Sequence, residues 1–175
     1  MKRYVTEERG RCLITASLVL TLGLSLACNA VGTVQAGDFD GLKEVKAVWD
    51  VRVSEEDVFQ DRMDLIHQAA DVLKKNGVRP LFVIALNGPA VLFATRTLKG
   101  TAADGDTIGA LPAIQKMMGQ MRRDGIRFET CGVSMKRNKI SEKNVIPMMD
   151  VQDHIWANIL ALQNKGYAYM PVFEQ

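Results

Sequence analysis

The chain has 175 residues, of which 47% are hydrophobic and 24% charged, so it can build one globular core but not two. This composition excludes fibrous, disordered and disulfide-dense proteins. The 22 Lys and Arg residues exceed the 20 Asp and Glu residues, but four of the former and two of the latter precede Gly37, which leaves 18 of each. A generally basic surface for nucleic acid is therefore excluded as well.

The first 36 residues have the order of an export signal. MKRYVTEERGR is basic, CLITASLVLTLGLSLACNAVG is apolar, and VQA before Gly37 is a small-residue cleavage site. We therefore predict a signal peptide at residues 1–36 and a mature domain at residues 37–175 in the periplasm or elsewhere outside the cytoplasm. The alternative is a retained membrane anchor with the domain facing outward, because the apolar run is nearly long enough to span a bilayer.

The first half of the mature domain alternates between predicted strands and helices. EVKAVWDVRV alternates like a strand, and the segment from Ser54 to Gly77 carries a helical apolar stripe. That stripe consists of Phe59, Met63, Ile66, Ala70 and Leu73. Ser54 with Asp57 predicts a capped helix start, and VRPLFVIALNG predicts a central strand that is covered on both faces. PAVLFATRTL predicts a helix that opens with Pro89, and its excess of apolar residues predicts a subunit interface.

The second half continues the alternation. A polar loop at residues 99–109 lacks a phosphate-binding pattern. It leads to predicted helices at residues 110–125 and 155–166 and to predicted strands at residues 126–131, 147–151 and 167–173. Strands that alternate with helices indicate a three-layer α/β/α fold with a mostly parallel sheet of about five strands.

Two candidate regions follow predicted strands. Asn87 and Gly88 come after the second strand, and Cys131 ends the third. Binding sites in parallel sheets form beyond the carboxyl ends of the strands, so we expect the two regions to share one edge. Cys131 is also the only cysteine outside the predicted signal, and a lone cysteine in an oxidising compartment is buried and inert, paired with another chain, or chemically used.

A set of ordered residues around that cysteine resembles the DsrE family, including its small YchN-like members. The residues that carry the resemblance are Cys131-Gly132, Ser134, Ile140, Pro147 and the closing GYAYMPV, while LNGPAV looks like the family's glycine turn. The resemblance spans Glu44 to Phe173. It implies a three-layer α/β fold, a homotrimer or homohexamer, and a relay in which Cys131 takes up sulfane sulfur as a persulfide and passes it to a partner protein. Many members carry histidine near the glycine turn, where this chain has Asn87.

The residues around Cys131 are compatible with that chemistry. The thiolate is the nucleophile, and the nearby Lys136, Arg137 and Lys139 favour it and attract a small sulfur anion. If the residues after Cys131 turn into a helix, its free N–H groups favour the thiolate as well. We therefore expect a partly accessible Cys131 with a lowered pKa as the catalytic thiol of a sulfurtransferase-like protein. The predicted substrate-binding residues are Asn87, Gly88, Gly132, Ser134, Lys136 and Arg137. The alternative is a non-catalytic oligomeric binding or scaffold module with an inert thiol.

The two histidines and the methionines suggest no cofactor. His67 adjoins the first helical stripe, where a satisfied, partly buried histidine is the commoner outcome. His154 is a candidate base for Cys131, although nothing in the sequence places the two within reach. A metal site from Cys131, His154 and Asp153 lacks a recognised ligand spacing. Met117 and Met121 lie one helical turn apart, which is typical of core packing. We therefore predict no metal and no cofactor.

Overall fold

Five strands and four α-helices make up the computed structural model, which describes residues 39–174. The strands are β1 (Glu44–Val51), β2 (Arg79–Leu86), β3 (Arg127–Cys131), β4 (Met149–Gln152) and β5 (Ala168–Val172). The helices are α1 (Glu56–Lys75), α2 (Leu111–Arg123), α3 (Gly132–Arg137) and α4 (Ile155–Asn164). The predicted signal segment, with its cleavage or retention, lies outside the described residues. Within residues 39–174, every helix is too short or too polar to cross a membrane.

All five strands belong to one sheet, in the order β4-β3-β2-β1-β5. Every neighbouring pair is parallel. The prediction of an α/β fold is confirmed, and the sheet is entirely rather than mostly parallel. Because parallel crossovers are right-handed, α1 and α2 cover one face, and α4, which carries the chain back from β4 to β5, covers the other. The predicted apolar stripe of α1 is buried along its whole length.

The segment after β2 differs from the prediction. Gly88–Ala94 forms a 3-10 helix rather than the start of an α-helix, and the chain then leaves it to pair Thr95 with Val145 in an antiparallel bridge. Its apolar side chains face the core of the same domain, and the Phe93 ring stacks 4.1 Å from that of Phe59. The prediction that this segment forms a subunit interface is therefore wrong, because its apolar surface is already covered.

The start of α1 also differs from the prediction. Glu55 occupies the N-cap position and makes no side-chain capping bond. The carboxylate of Glu174 instead accepts hydrogen bonds from the backbone N–H groups of Ser54 and of Glu55, the latter at 2.8 Å. A residue from the far end of the chain therefore satisfies the free N–H groups that precede the helix, and Ser54 with Asp57 does not.

Candidate functional site

The carboxyl ends of β2 and β3 open onto a cleft of ≈ 90 Å³. Its lining includes Asn87, Cys131, Ser134, Arg137, His154 and Trp156. The expectation that the Asn87 and Cys131 regions share one edge of the sheet is thus confirmed. A larger groove of ≈ 480 Å³ lies beside Trp49 and Phe173, but no nucleophile lines it. The chemistry of the side chains, rather than volume, identifies the smaller cleft as the candidate site.

Cys131 ends β3 and is the N-cap residue of α3. It is only 2% exposed, so the expectation of a partly accessible thiol is wrong. The reason is that the first turn of α4 lies over the end of β3, and the backbone N–H of Ile155 hydrogen-bonds to the thiol. Gly132 adapts to this crowding, because a Cβ there would stand 3.1 Å from the backbone oxygen of Gln152. Cys131 is therefore reached from outside through this narrow cleft.

The thiol is surrounded by hydrogen-bond donors. Burial raises the pKa of Cys131, but the Ser134 hydroxyl, whose proton can turn toward a thiolate, and hydrogen bonds from the N–H groups of Ile155, Ser134 and Val133 outweigh it, so the pKa lies below its ordinary value. The Ser134 N–H stands 3.5 Å from Sγ. These donors stabilise the thiolate more than the thiol, so the site favours the nucleophilic form.

The predicted direction of this pKa shift is therefore right, and so is one of its two predicted causes, the N–H groups of the turn after Cys131. The other predicted cause, the field of the basic side chains, is wrong. Lys136, Arg137 and Lys139 are exposed, and none of them contributes to the lowered pKa of Cys131. Of these three residues, only Arg137 lines the cleft. The basic segment consequently offers one cation, Arg137, to an anionic ligand. It does not surround the Cys131 sulfur with a positive electrostatic field.

A hydrogen-bonded chain leads away from the thiol. Ser134 Oγ donates to Asn87 Oδ1 at 3.0 Å, and the backbone N–H of Gly88 donates to both oxygens, at 3.0 and 2.8 Å. Asn87 Nδ2 then donates to Asp50 Oδ1 at 3.4 Å. Because an ionised carboxylate can only accept, Asp50 fixes which way the Asn87 amide faces. Asn87 therefore acts here as a buried connector.

The sequence analysis missed Asp50 and Arg52. Asp50 is fully buried and accepts hydrogen bonds from Tyr169 Oη at 2.9 Å and from an Arg52 terminal nitrogen at 2.5 Å. The available signal was a carboxylate between Trp49 and Val51 near the end of β1, followed two positions later by an arginine. A buried carboxylate needs such partners, but the alternation in β1 does not reveal which ones they are.

Glu129 is a second buried carboxylate that the sequence analysis missed. It is 3% exposed, accepts a hydrogen bond from Asn158 on α4, and lies 3.3 Å from an Arg127 nitrogen. Burial raises the pKa of Glu129, the charge of Asp150 adds to this effect, and Arg127 and Asn158 oppose it. Glu129 thus binds α4 to the sheet through Asn158. It is not among the residues that line the cleft.

The histidines have separate roles. His67 is half-buried and its Nε2 lies 2.9 Å from Asp124 Oδ2, which confirms the prediction of a satisfied histidine. His154 is exposed and lines the cleft that Cys131 also lines, although no hydrogen bond joins the two side chains. Within residues 39–174, no group of three or more His, Cys, Asp or Glu side chains is arranged to hold a metal ion.

Comparison with known proteins adds a family and a fold. A family model for the DsrE/DsrF-like family matches residues 57–172. An uncharacterized protein of Aquifex aeolicus (strain VF5) is 28% identical over 128 residues, which are 73% of this chain and 56% of that protein.

Two solved structures share the fold. They are the protein of unknown function MTH1491 from Methanobacterium thermoautotrophicum and the ychN protein from E. coli. MTH1491 has a TM-score of 0.56 and 14% identity over 74% of this chain and 98% of its own. The ychN protein has a TM-score of 0.52 and 13% identity over 74% of this chain and 100% of its own. At such identities the likeness shows the fold alone.

Proposed function

Because the chain belongs to the DsrE/DsrF-like family, we propose that it takes up sulfane sulfur as a persulfide on Cys131. The observation that carries the proposal is the thiol at the end of β3, which lines a cleft and whose pKa is held below its ordinary value by hydrogen-bond donors. A lowered pKa raises the population of the nucleophilic thiolate near neutral pH. Family membership supplies the sulfur chemistry, and the donors around Sγ supply its physical basis.

The proposed step balances with thiosulfate as the donor. The Cys131 thiolate attacks the outer sulfur of thiosulfate, a new S–S bond forms, and the S–S bond of thiosulfate breaks. Sulfite leaves with the bonding electron pair and carries two negative charges, while the single negative charge of the thiolate passes to the terminal sulfur of the persulfide. No other oxidant or reductant is needed.

The neighbouring residues have assigned roles in this proposal. Ser134 has one hydroxyl proton, which it gives to Asn87 Oδ1 in the structure and turns toward Sγ when the thiolate forms. The Gly88 N–H keeps the Ser134 oxygen in place at 3.0 Å. Arg137 in the cleft lining attracts the anionic donor. Lys136 contributes only to the charge of the surrounding surface.

Intact-mass analysis tests the proposal. After incubation with thiosulfate or polysulfide, the protein should gain about 32 Da, the mass of one sulfur atom, and dithiothreitol should remove it. Cys131→Ser should show no gain. A wild-type protein that gains no mass from either donor would contradict the proposal.

The scaffold alternative has one observation in its favour, since Cys131 is 2% exposed. Iodoacetamide separates the two functions. A thiol that reacts in the native protein, with a rate that follows its own ionisation, supports sulfur transfer. A thiol that stays unmodified until the domain is denatured supports an inert module.

We propose in addition that the protein is exported and forms a homotrimer or homohexamer, possible partners being a sulfur donor or acceptor protein. The signal-like order of residues 1–36 supports export, and the exposed Leu160 of α4, at 61%, offers apolar surface for assembly. N-terminal sequencing of an extracytoplasmic fraction should begin near Gly37, whereas full-length chain in the membrane fraction would indicate the anchor. Light scattering that returns a monomer at micromolar concentration would refute the oligomer.

A further inference from the structure

The side chain of Trp156 forms one wall of the cleft, where it is exposed to solvent and held in place by a neighbouring cation. Trp156, in the first turn of α4, lines the cleft beside Cys131 and is 53% exposed. The guanidinium carbon of Arg52 lies 5.3 Å from the centroid of the Trp156 ring. It also lies 5.4 Å from the ring of Phe173, so the cation contacts both aromatic rings.

Arg52 is itself held in place by an ion pair with Asp50. Its terminal nitrogen bonds to Asp50, which is fully buried and also bound by the hydroxyl of Tyr169 at 2.9 Å. Among residues 39–174, the Nε–H of Arg52 finds no hydrogen-bond partner, so within this part of the chain the position of the guanidinium depends on Asp50 and the two rings. A surface tryptophan would otherwise sample several rotamers. The buried carboxylate of Asp50 therefore positions the Trp156 side chain by way of Arg52.

We propose that Arg52 is a positioning residue that sets the specificity of the site by holding Trp156 across the entrance to Cys131. The cleft of ≈ 90 Å³ has room for about three water-sized groups at a liquid volume of about 30 Å³ each. That space admits a small inorganic sulfane donor such as thiosulfate or hydrogen polysulfide and excludes a bulky organic persulfide. The assignment of a donor class rests on the proposed function, whereas the control of access to the thiol does not.

Alkylation with two reagents of different size isolates this role. Iodoacetamide is small and monobromobimane is bulky, and both react with the thiolate. The ratio of their rate constants therefore cancels any change in the ionisation of Cys131 and reports the width of the entrance. A residue with a merely structural role would change both rates together.

Arg52→Ala should raise the bimane-to-iodoacetamide ratio by about two- to fivefold, the factor expected when a cation–π contact at an exposed site is lost. Trp156→Ala should raise it at least as much. Arg79→Ala is the matched control, because Arg79 is exposed and pairs with Glu44 at 2.6 Å at the opposite end of the strands. It should leave the ratio unchanged.

A double variant tests whether Arg52 acts through Trp156. In a Trp156→Ala background, Arg52→Ala should change the ratio no further, and a second increase of the same size would overturn the proposal. An unchanged ratio in folded Arg52→Ala would overturn it too. If Arg52→Ala loses its thermal unfolding transition, Phe173→Ala replaces it, since it removes the exposed ring on the guanidinium, and an unchanged ratio would again refute the role.

The two proposals fail separately. Mass analysis with thiosulfate and with glutathione persulfide should show uptake from the former alone in the wild type and from both in Arg52→Ala. If no variant gains sulfur but the alkylation ratios behave as described, sulfur uptake is refuted and the role of Arg52 in access stands. If the wild type takes sulfur equally well from both donors, the assignment of the donor class is overturned.

Discussion

Replacing Ser134 by alanine removes the side-chain donor that holds the pKa of Cys131 down. A hydrogen bond to a charged group contributes about 1.5–3 kcal/mol, and the backbone donors from Ile155 and Val133 remain. We therefore take the lower figure, for which about 1.4 kcal/mol corresponds to a factor of ten. The thiol pKa should rise, and at pH values below the wild-type pKa the thiolate fraction should fall about tenfold.

The assay is the rate of iodoacetamide modification as a function of pH. Below the wild-type pKa of Cys131, the Ser134→Ala protein should react about tenfold more slowly, because the rate follows the thiolate fraction. At pH values above both pKa values, the two rates should converge. Ser141→Ala is a matched control, since Ser141 is exposed and makes no capping bond through its side chain. Superimposable profiles for wild type and Ser134→Ala would refute the reasoning.

Three further substitutions test other parts of the site. Gly132→Ala should cost about 1–3 kcal/mol of stability in urea unfolding, because its Cβ would stand 3.1 Å and 3.2 Å from two backbone oxygens, whereas Gly109→Ala, with 3.7 Å to its nearest neighbour, should not suffer this clash. Burial raises the pKa of Glu129, so its ionised form costs stability above the ordinary pKa, and Glu129→Gln should melt at a higher temperature than wild type at pH 7 but not below about pH 4. Arg137→Gln should slow thiosulfate uptake a few-fold at low salt, and Lys136→Gln should not, because only Arg137 lines the cleft. Equal effects of the last two changes would show that surface charge, and not position, attracts the donor.

Local patterns in the sequence were sufficient for the fold. The stripe from Phe59 to Leu73 and the apolar run of β2 are properties of neighbouring residues, and the structure confirms both elements. The segment from Gly88 to Ala94 was too short for periodicity to distinguish a 3-10 helix from an α-helix. The topology of a parallel sheet also sufficed to bring Asn87 and Cys131 to one edge.

Contacts between distant residues decided what the sequence analysis got wrong. The burial of Cys131 depends on where α4 packs, and its lowered pKa depends on donors from two elements rather than on nearby lysines. The role of Asp50 in the site could not be predicted, because its hydrogen-bond partner Tyr169 lies 119 positions away in the sequence. The pattern of a strand shows which side chains face inward, but it does not show which polar groups meet there.

The pairing of β1 with β5 has a consequence for how the protein is made. Strand β1 pairs with β2 on one side and with β5, near the end of the sequence, on the other, where Val48 lies opposite Tyr169. A ribosome-bound chain that lacks β5 therefore leaves one edge of β1 unpaired, and contacts so distant in sequence form slowly. We expect the nascent domain to remain unfinished until its last strand is synthesised. That delay suits the export proposed above, because a translocation channel passes an unfolded chain.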